Sequence, residues 1–446
     1  MRISVIGCGY LGAVHAACMA ELGHDVVGLD VDEDKIAKLA AGVAPFHEPG
    51  FDAVLKRGVE SGRLGFTTDP AAIADAEIHF IAVGTPQLSG RLGADMSYVA
   101  QAVRTIIEHA EPGTERPVLV AGKSTVPVGT AQLISDEFDA SGKNLVLAWN
   151  PEFLREGYAV KDTLHPDRIV YGLPDDVAKG EAAREVLNQC YATMLEAETP
   201  LVVANYPTAE LVKVAANSFL ATKISFINAM AELCDATGGD VTRLAEAIGY
   251  DDRIGPKFLQ AGIGFGGGCL PKDIRAFMAR AGELGVDEAL TFLREVDTIN
   301  LRRRDHAVRL AEEVVGGSLS GKKIAVLGIT FKPDTDDLRD SPALDIASKL
   351  WAAGADLAIV DPAAGDKLRE RRPDLRVPET LEEAVTDADA VMILTQWRDF
   401  GDLDPASIRD LVAAPNIIDG RNVLDPKRWS DAGWNYYGMG RGVSIW

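Results

Sequence analysis

Residues Arg2–Gly12 read RISVIGCGYLG, an apolar strand pattern that runs into Gly7, Gly9 and Gly12 spaced as GxGxxG. A helical pattern, AVHAACMAELG at 13–23, follows at once, and the next apolar run, DVVGLD at 25–30, closes on Asp30. Strand, glycine turn, helix and acid-ended strand in this order make the βαβ unit that seats a dinucleotide. Gly7 permits the tight turn, Gly9 lets a pyrophosphate approach the backbone, and Gly12 lets helix and strand close up. The helix N-terminus then faces the phosphates. Tyr10 and Leu11 lie in the same turn and count with the glycines as cofactor contacts, whereas Cys8 reads as a small spacer. A carboxylate at Asp30 accepts hydrogen bonds from an adenosine ribose and repels a 2′-phosphate, which favours NAD over NADP.

The alternation continues outward. IHFIAVGTP (78–86), VLVAGKST (118–125) and LVLAWNPE (145–152) alternate with helical patterns, the rhythm of a parallel sheet wrapped by helices. From Thr208 to about Thr237 the signal changes to one helical stretch without Pro or Gly, roughly 45 Å long at 1.5 Å per residue. A helix of that length joins domains and offers a face for self-association. After a Gly/Ser-rich break, VVGGSLSGKK at 314–323, a second alternation begins with KIAVLG and ends with NIIDGRN. The expected fold class is therefore α/β: two Rossmann-like, doubly wound parallel-sheet domains joined by a long central helix and a helical middle domain. The expected domains are 1–200, 201–316 and 317–446. The two halves echo each other, since KIAVLGITFKP is followed by Asp361 as RISVIGCGYLG is by Asp30. In the second copy ITFKPDTDDLRDSP replaces the glycine fingerprint, so a different ligand is expected there.

Composition narrows the partners. The chain has 446 residues, 47% of them hydrophobic, and carries 45 Lys plus Arg against 67 Asp plus Glu, a net charge of −22. Without a basic run, this excludes nucleic acid and an anionic membrane surface as expected partners. No apolar stretch is long enough to span a bilayer and the opening residues read as a strand rather than a signal peptide, so a cytoplasmic location is expected. Cysteines at 8, 18, 190, 234 and 269 are scattered and odd in number, which indicates neither a disulfide framework nor a zinc site. No metal is expected.

The stretch GFGGGCLPKD, Gly264–Asp273, sets a thiol behind four glycines and before Lys272 and Asp273. Glycines let a backbone approach a ligand, and a thiol beside a cation ionises and attacks electrophiles. From these ten residues alone, a flexible loop with an incidental cysteine stands level with that reading. Lys213 and Asn217 stand four apart on the long helix and share a face, where an ammonium and an amide can stabilise oxyanions. Lys213 as a solvated helix lysine, or Asn217 as a bridge between helices, is the plain alternative.

Several segments then fall in one order: GCGYLG, KSTVPVGT, NPEFLREG, AELVKVAANSF, GFGGGCLPKD, FKPDTDDLRDSP and IIDGRN. In this the chain resembles the nucleotide-sugar 6-dehydrogenases over essentially its whole length, nearest to members that act on UDP-glucose, with those acting on GDP-mannose as the alternative. The resemblance implies four-electron oxidation of a UDP-sugar at C6 to a carboxylate with two NAD molecules, in a homodimer. It implies that Cys269 forms a thiohemiacetal and then a thioester, that Lys213 and Asn217 stabilise oxyanions, and that Asp273 relays protons through water. Glu152 matches the acid/base of thioester hydrolysis and Thr125 a supporting hydroxyl. Lys35, Thr85, Ser124, Glu156, Lys272 and Arg339 match contacts to NAD. Phe153, Leu154, Arg253, Lys257, Phe265, Gly266, Lys332 and Arg421, with Lys213 and Asn217, match contacts to the substrate. Gly268 stands where a serine is common, and Leu270 and Pro271 also depart from other members.

Two readings from other classes compete. An NAD-binding sensor would have no need of Cys269, Lys213, Asn217, Asp273 and Glu152 together. A two-electron β-hydroxyacid-type dehydrogenase would need neither the thiol nor the second α/β domain.

Overall fold

The patterns IHFI, VLVAG and LVLAW are buried along their whole length, as strands covered by helices on both faces must be. They are β4 (Ile78–Ile81), β5 (Val118–Gly122) and β6 (Leu145–Trp149), preceded by β1 (Arg2–Ile6), β2 (Asp25–Leu29) and β3 (Leu64–Thr67) and followed by β7 (Ile169–Leu173) and β8 (Leu201–Asn205). This computed structural model describes residues 1–111 and 116–442. The chain divides into two units, Met1–Ala216 with Arg275–Leu284 and Asn217–Ile274 with Gly285–Trp446.

The first unit holds one sheet in the order β3-β2-β1-β4-β5-β6-β7-β8. Its strands run parallel except where β6 meets β7, paired antiparallel through Trp149 and Gly172. That reversal departs from the all-parallel expectation. An antiparallel neighbour needs no crossover helix, so the chain leaves β6 and returns into β7 at the same edge. The loop Asn150–Arg168, which carries NPEFLREG, thus stays at the carboxyl ends of β1, β4 and β5, the edge at which open α/β sheets bind ligands.

The helix Tyr206–Thr237 grows directly out of β8. Its Glu210, 2% exposed, accepts from the backbone N–H groups of Gly129 and Ala131, both at 2.7 Å. It thereby caps the helix Thr130–Ala140, whose own cap residue, Gly129, has no side chain to do so. Burial raises the proton affinity of the Glu210 carboxyl, against the lowering effect of those N–H groups. One helical turn past Glu210 stands Lys213.

The second unit contains a five-stranded sheet of β9 (Lys323–Leu327), β10 (Asp356–Val360), β11 (Ala390–Ile393), β12 (Asn416–Asp419) and β13 (Asn435–Gly438). Its order is β10-β9-β11-β12-β13, parallel throughout. The helix Thr291–Val314 buries Asn300 and Arg303 completely. Asn300 accepts from Phe265 N–H at 2.7 Å and donates to the Phe265 carbonyl at 3.0 Å, so one side chain serves both polar groups of that residue. Among the described residues no helix is long and apolar enough to cross a membrane.

The glycine turn of the first unit is set by contact. A Cβ placed on Gly12 would lie 1.8 Å from the carbonyl oxygen of Gly7. Backbone there cannot yield as a flexible side chain would, so Gly12→Ala is expected to cost about 1–3 kcal/mol of stability, the usual range for overpacking. Denaturant unfolding of the two proteins measures it.

Candidate active site

At the cofactor turn, Gly7 holds φ at +92° and lies against the Val83 backbone, whereas a Cβ on Gly9 would meet nothing within 4 Å. Gly9 is the cap residue of the helix Tyr10–Glu21 and brings no side chain to its N–H groups. Open space above a helix N-terminus is what a pyrophosphate requires, and the turn fits a dinucleotide. Asp30 accepts from Cys8 N–H at 2.7 Å and from Lys35 Nζ at 3.1 Å through Oδ2, and from Asp32 N–H at 3.1 Å through Oδ1. Lys35 therefore meets the expected ribose acceptor itself. Tyr10 donates its hydroxyl to Glu48, which also accepts from Gly157 N–H at 2.6 Å and Ala159 N–H at 2.7 Å. Burial and this carboxylate raise the Tyr10 phenol. Leu11 lines a cleft behind the turn. Thr85 donates to the Thr125 carbonyl at 2.8 Å, and Ser124, buried, to the Val83 carbonyl at 2.7 Å. Those two expected cofactor residues thus bind the strand ends together. Glu156 is half-buried on the loop after β6.

In the same unit Glu152 and Lys213 are paired. Lys213 Nζ donates to Glu152 Oε1 at 2.8 Å, with the side chains 8% and 14% exposed, and Glu152 Oε2 accepts from Leu154 N–H at 2.7 Å. Lys213 is thus no solvated helix lysine. Phe153 lies beside the pair, its ring centre 5.8 Å from Lys213 Nζ and 3.8 Å from the Arg168 guanidinium. Thr125 stands half-buried beyond β5.

In the second unit Asp273, 2% exposed, accepts from Asn217 Nδ2 at 2.7 Å and from Lys272 Nζ at 2.5 Å. Asn217 thus binds the expected proton relay directly. Lys272, expected at the cofactor, pairs with that carboxylate. Cys269 comes just before the helix Leu270–Glu283 and its carbonyl accepts from Asp273 N–H at 2.9 Å, the first bond of that helix. The thiol therefore sits at a positive helix end, where a thiolate is favoured.

The sequence reading expects the glycines before it to let a ligand approach; in the structure three of them pack closely against neighbouring atoms. A Cβ on Gly266 would lie 2.2 Å from the Asp340 carbonyl, on Gly267 2.7 Å from the Phe331 ring, and on Gly268 2.4 Å from the Arg339 guanidinium. Their bareness serves packing inside the unit. Gly267 N–H also donates to the Arg339 carbonyl at 3.0 Å, so the loop and FKPDTDDLRDSP are tied together. Arg339, expected at NAD, pairs with Asp337 at 2.7 Å.

Among the expected substrate residues, Phe265 is buried and Lys332 lies 5.3 Å from the Phe331 ring centre. Arg253 is 88% exposed and paired with Asp251, and Lys257 is exposed. Arg421 is half-buried, and its guanidinium donates to the carbonyls of Leu394 (2.8 Å), Gly264 (2.9 Å) and Phe331 (3.2 Å). Burial, with Arg304 nearby, pushes its pKa down to about 10. It clasps the glycine loop to the second sheet, a role its position in IIDGRN did not announce.

Sequence reasoning passed over Glu48, which joins Tyr10 to the loop after β6, and Asn300, which holds Phe265. A single acid in FHEPG and a single amide in a helix carry no pattern. It also passed over Lys123 and Asn150, although both open quoted motifs; the signal was present there.

Three domain models of one family match the chain: the NAD binding domain of the UDP-glucose/GDP-mannose dehydrogenase family over residues 1–195, its central domain over 207–302 and its UDP binding domain over 325–426. The chain is 41% identical over 446 residues to a UDP-glucose 6-dehydrogenase of Rhizobium meliloti, covering 99% of this chain and 100% of the relative. A UDP-glucose dehydrogenase structure from Pyrobaculum islandicum superposes with a TM-score of 0.88 at 38% identity, covering 98% and 97% of the two chains. A UDP-D-ManNAc dehydrogenase structure from Pyrococcus horikoshii does so with 0.85 at 30%, covering 99% and 100%.

No cysteine forms a disulfide; Cys8, Cys18, Cys190 and Cys234 are buried, and Cys269 is exposed. Burial pushes the Cys18 and Cys190 thiols up to about 12 and raises those of Cys8 and Cys234. Iodoacetamide at neutral pH is therefore expected to label the native protein on Cys269 alone, read by mass spectrometry of the digested protein.

Proposed function

This chain belongs to the UDP-glucose/GDP-mannose dehydrogenase family, and we propose that it oxidises UDP-glucose at C6 to UDP-glucuronate through covalent intermediates on Cys269. The observation that carries the chemistry is the exposure of this one thiol at a helix start, beside the bonded set Asn217, Asp273 and Lys272. NAD, when bound, accepts a hydride in each of the two oxidations. In this reading residues 1–200 serve the cofactor, 201–316 assembly and part of the chemistry, and 317–446 the nucleotide of the substrate.

The roles follow from the side-chain chemistry. The alcohol loses its proton as it becomes an aldehyde, with Asp273 passing that proton to water. An aldehyde has no good route to lose another hydride until a nucleophile adds to it. The Cys269 thiolate forms the C–S bond, giving a thiohemiacetal whose oxyanion is met by the Lys213 ammonium and the Asn217 amide. After the second oxidation the carbonyl is a thioester. Glu152, with the Thr125 hydroxyl in support, takes the proton of the attacking water; the C–S bond then breaks and the acid leaves with the thiol restored.

The test is direct. Wild type is expected to form two NADH per UDP-glucose and, when quenched in turnover, to carry a sugar thioester on the Cys269 peptide. Cys269→Ala is expected to make no uronate while keeping its fold and NAD binding. Uronate production by that variant near the wild-type rate would overturn the mechanism, and faster turnover of GDP-mannose than of UDP-glucose would overturn the substrate.

The working form is read as a homodimer in the cytoplasm. On the long helix Phe219, Phe226 and Leu233 stand seven apart and are 67%, 50% and 57% exposed, a stripe at coiled-coil spacing that water covers at a cost. Phe226→Glu would set a charge in its middle. Sedimentation at micromolar concentration is expected to show wild type as a dimer and the variant as a monomer.

A further inference from the structure

Lys123 is a buried cation to which the proposed chemistry gives no task. It follows β5, is 6% exposed, and its Nζ donates to Asn150 Oδ1 at 2.9 Å. The ammonium also stands 5.4 Å from the ring centre of Phe80 and 5.6 Å from that of Tyr191. Among the described residues it forms no ion pair, Glu152 being paired with Lys213. A charge so placed disfavours folding unless its contacts compensate, and these converge on Asn150.

Asn150 is pinned on every side. Its Oδ1 also accepts from the Tyr191 hydroxyl at 2.6 Å, its Nδ2 donates to the Val170 carbonyl at 2.9 Å, and its backbone N–H donates to the Gly122 carbonyl at 2.8 Å. These bonds join β5, β6, β7 and the residue after the helix Val177–Cys190. Next comes Pro151, buried and with φ fixed by its ring, and then Glu152. Lys123, Asn150 and Glu152 line one cleft within the first unit.

We propose that Lys123 is a positioning residue for the hydrolytic step: it clamps Asn150 and so, through Pro151, holds the Glu152 carboxylate where it takes the proton of the attacking water. The inference rests on the reading of Glu152 as the base of that step.

The clamp needs the charged form of lysine. A charge-assisted hydrogen bond is roughly twice as strong as a neutral one, and the attraction of Nζ to the ring faces exists only for the cation. Burial pushes Lys123 down to about 8, with Glu152 and Cys190 opposing. Lys123 is therefore charged below about pH 8 and loses the clamp as pH rises through that value. The other groups facing it are His15 of the opening helix, kept neutral by burial, and Cys190 and Tyr191, whose proton affinities burial raises. Asp162, Asp167 and Arg168 line the cleft with Glu152. Cys269 adds no titration to hydrolysis, because in the thioester its sulfur is acylated.

The experiment is rapid-quench single turnover with UDP-glucose and excess NAD across pH 6–10, following NADH, the protein-bound thioester and released uronate. Wild-type release is expected to fall above a break near pH 8. Lys123→Met should form the thioester with the full yield of NADH but release acid about ten- to a hundredfold more slowly, the scale of a small misplacement of a catalytic group, and without the break. Lys123→Arg, charged throughout this range, should restore most of the rate, also without the break. Release by Lys123→Met at the wild-type rate, with the break retained, would overturn the role. Loss of NADH formation in the same proportion as release would assign Lys123 to the fold alone and overturn it as well. Absence of any thioester in wild type is a separate result: it refutes the parent mechanism and, with it, this role.

Discussion

The ion pair between Lys213 and Glu152 is the interaction around which the first unit is arranged. Both groups are largely withdrawn from water, and a charge in such a place is tolerated only while its partner stays within reach. The partners come from far apart in the chain, one from the loop after β6 and one from the helix that follows β8. Holding them at 2.8 Å requires the β6–β7 reversal, which returns the loop to the sheet edge, and the Glu210 cap, which fixes the helix one turn before Lys213. Elements with no chemistry of their own thus set the geometry of the pair.

The two sheets reuse one turn for different ends. Gly7 and Gly328 have φ of +92° and +89°, and their N–H groups donate at 2.8 Å to the last residues of β2 and β10. The next residue in each donates at 2.7 Å to an aspartate, Cys8 to Asp30 and Ile329 to Asp361. The turns then diverge. Asp361 also accepts from the N–H groups of Thr330, Ala363 and Ala364 and from the Trp397 indole, so its carboxylate is taken up within the unit. This agrees with a second sheet that takes a different ligand, as the UDP binding domain match over 325–426 states.

What could be read from the sequence was what repeats or alternates. Apolar runs of four or five residues announced β4, β5 and β6, GxGxxG followed by Asp30 announced the cofactor turn, and a stretch without Gly or Pro announced the helix Tyr206–Thr237. Strand direction was not legible, because an apolar run is the same read either way and the β6–β7 pairing is decided by the connecting loop. Partner choice was equally hidden. Lys272, three residues after Cys269, suggested a cation for the thiol, and its bond to the carboxylate of Asp273 was not foreseen. The three carbonyls to which Arg421, expected as a ligand contact, donates were not legible in its motif.

The glycines at 266, 267 and 268 have a consequence for anyone wishing to redesign the protein. Each lies against atoms of Phe331–Pro342 closely enough that even a methyl group must displace something. The loop that carries Cys269 is therefore cast against a segment more than sixty residues further along the chain, and neither can drift without the other. Directed evolution toward a new sugar should find this pair of segments nearly immutable. Tolerance should instead be found at solvent-facing positions outside this pair of segments.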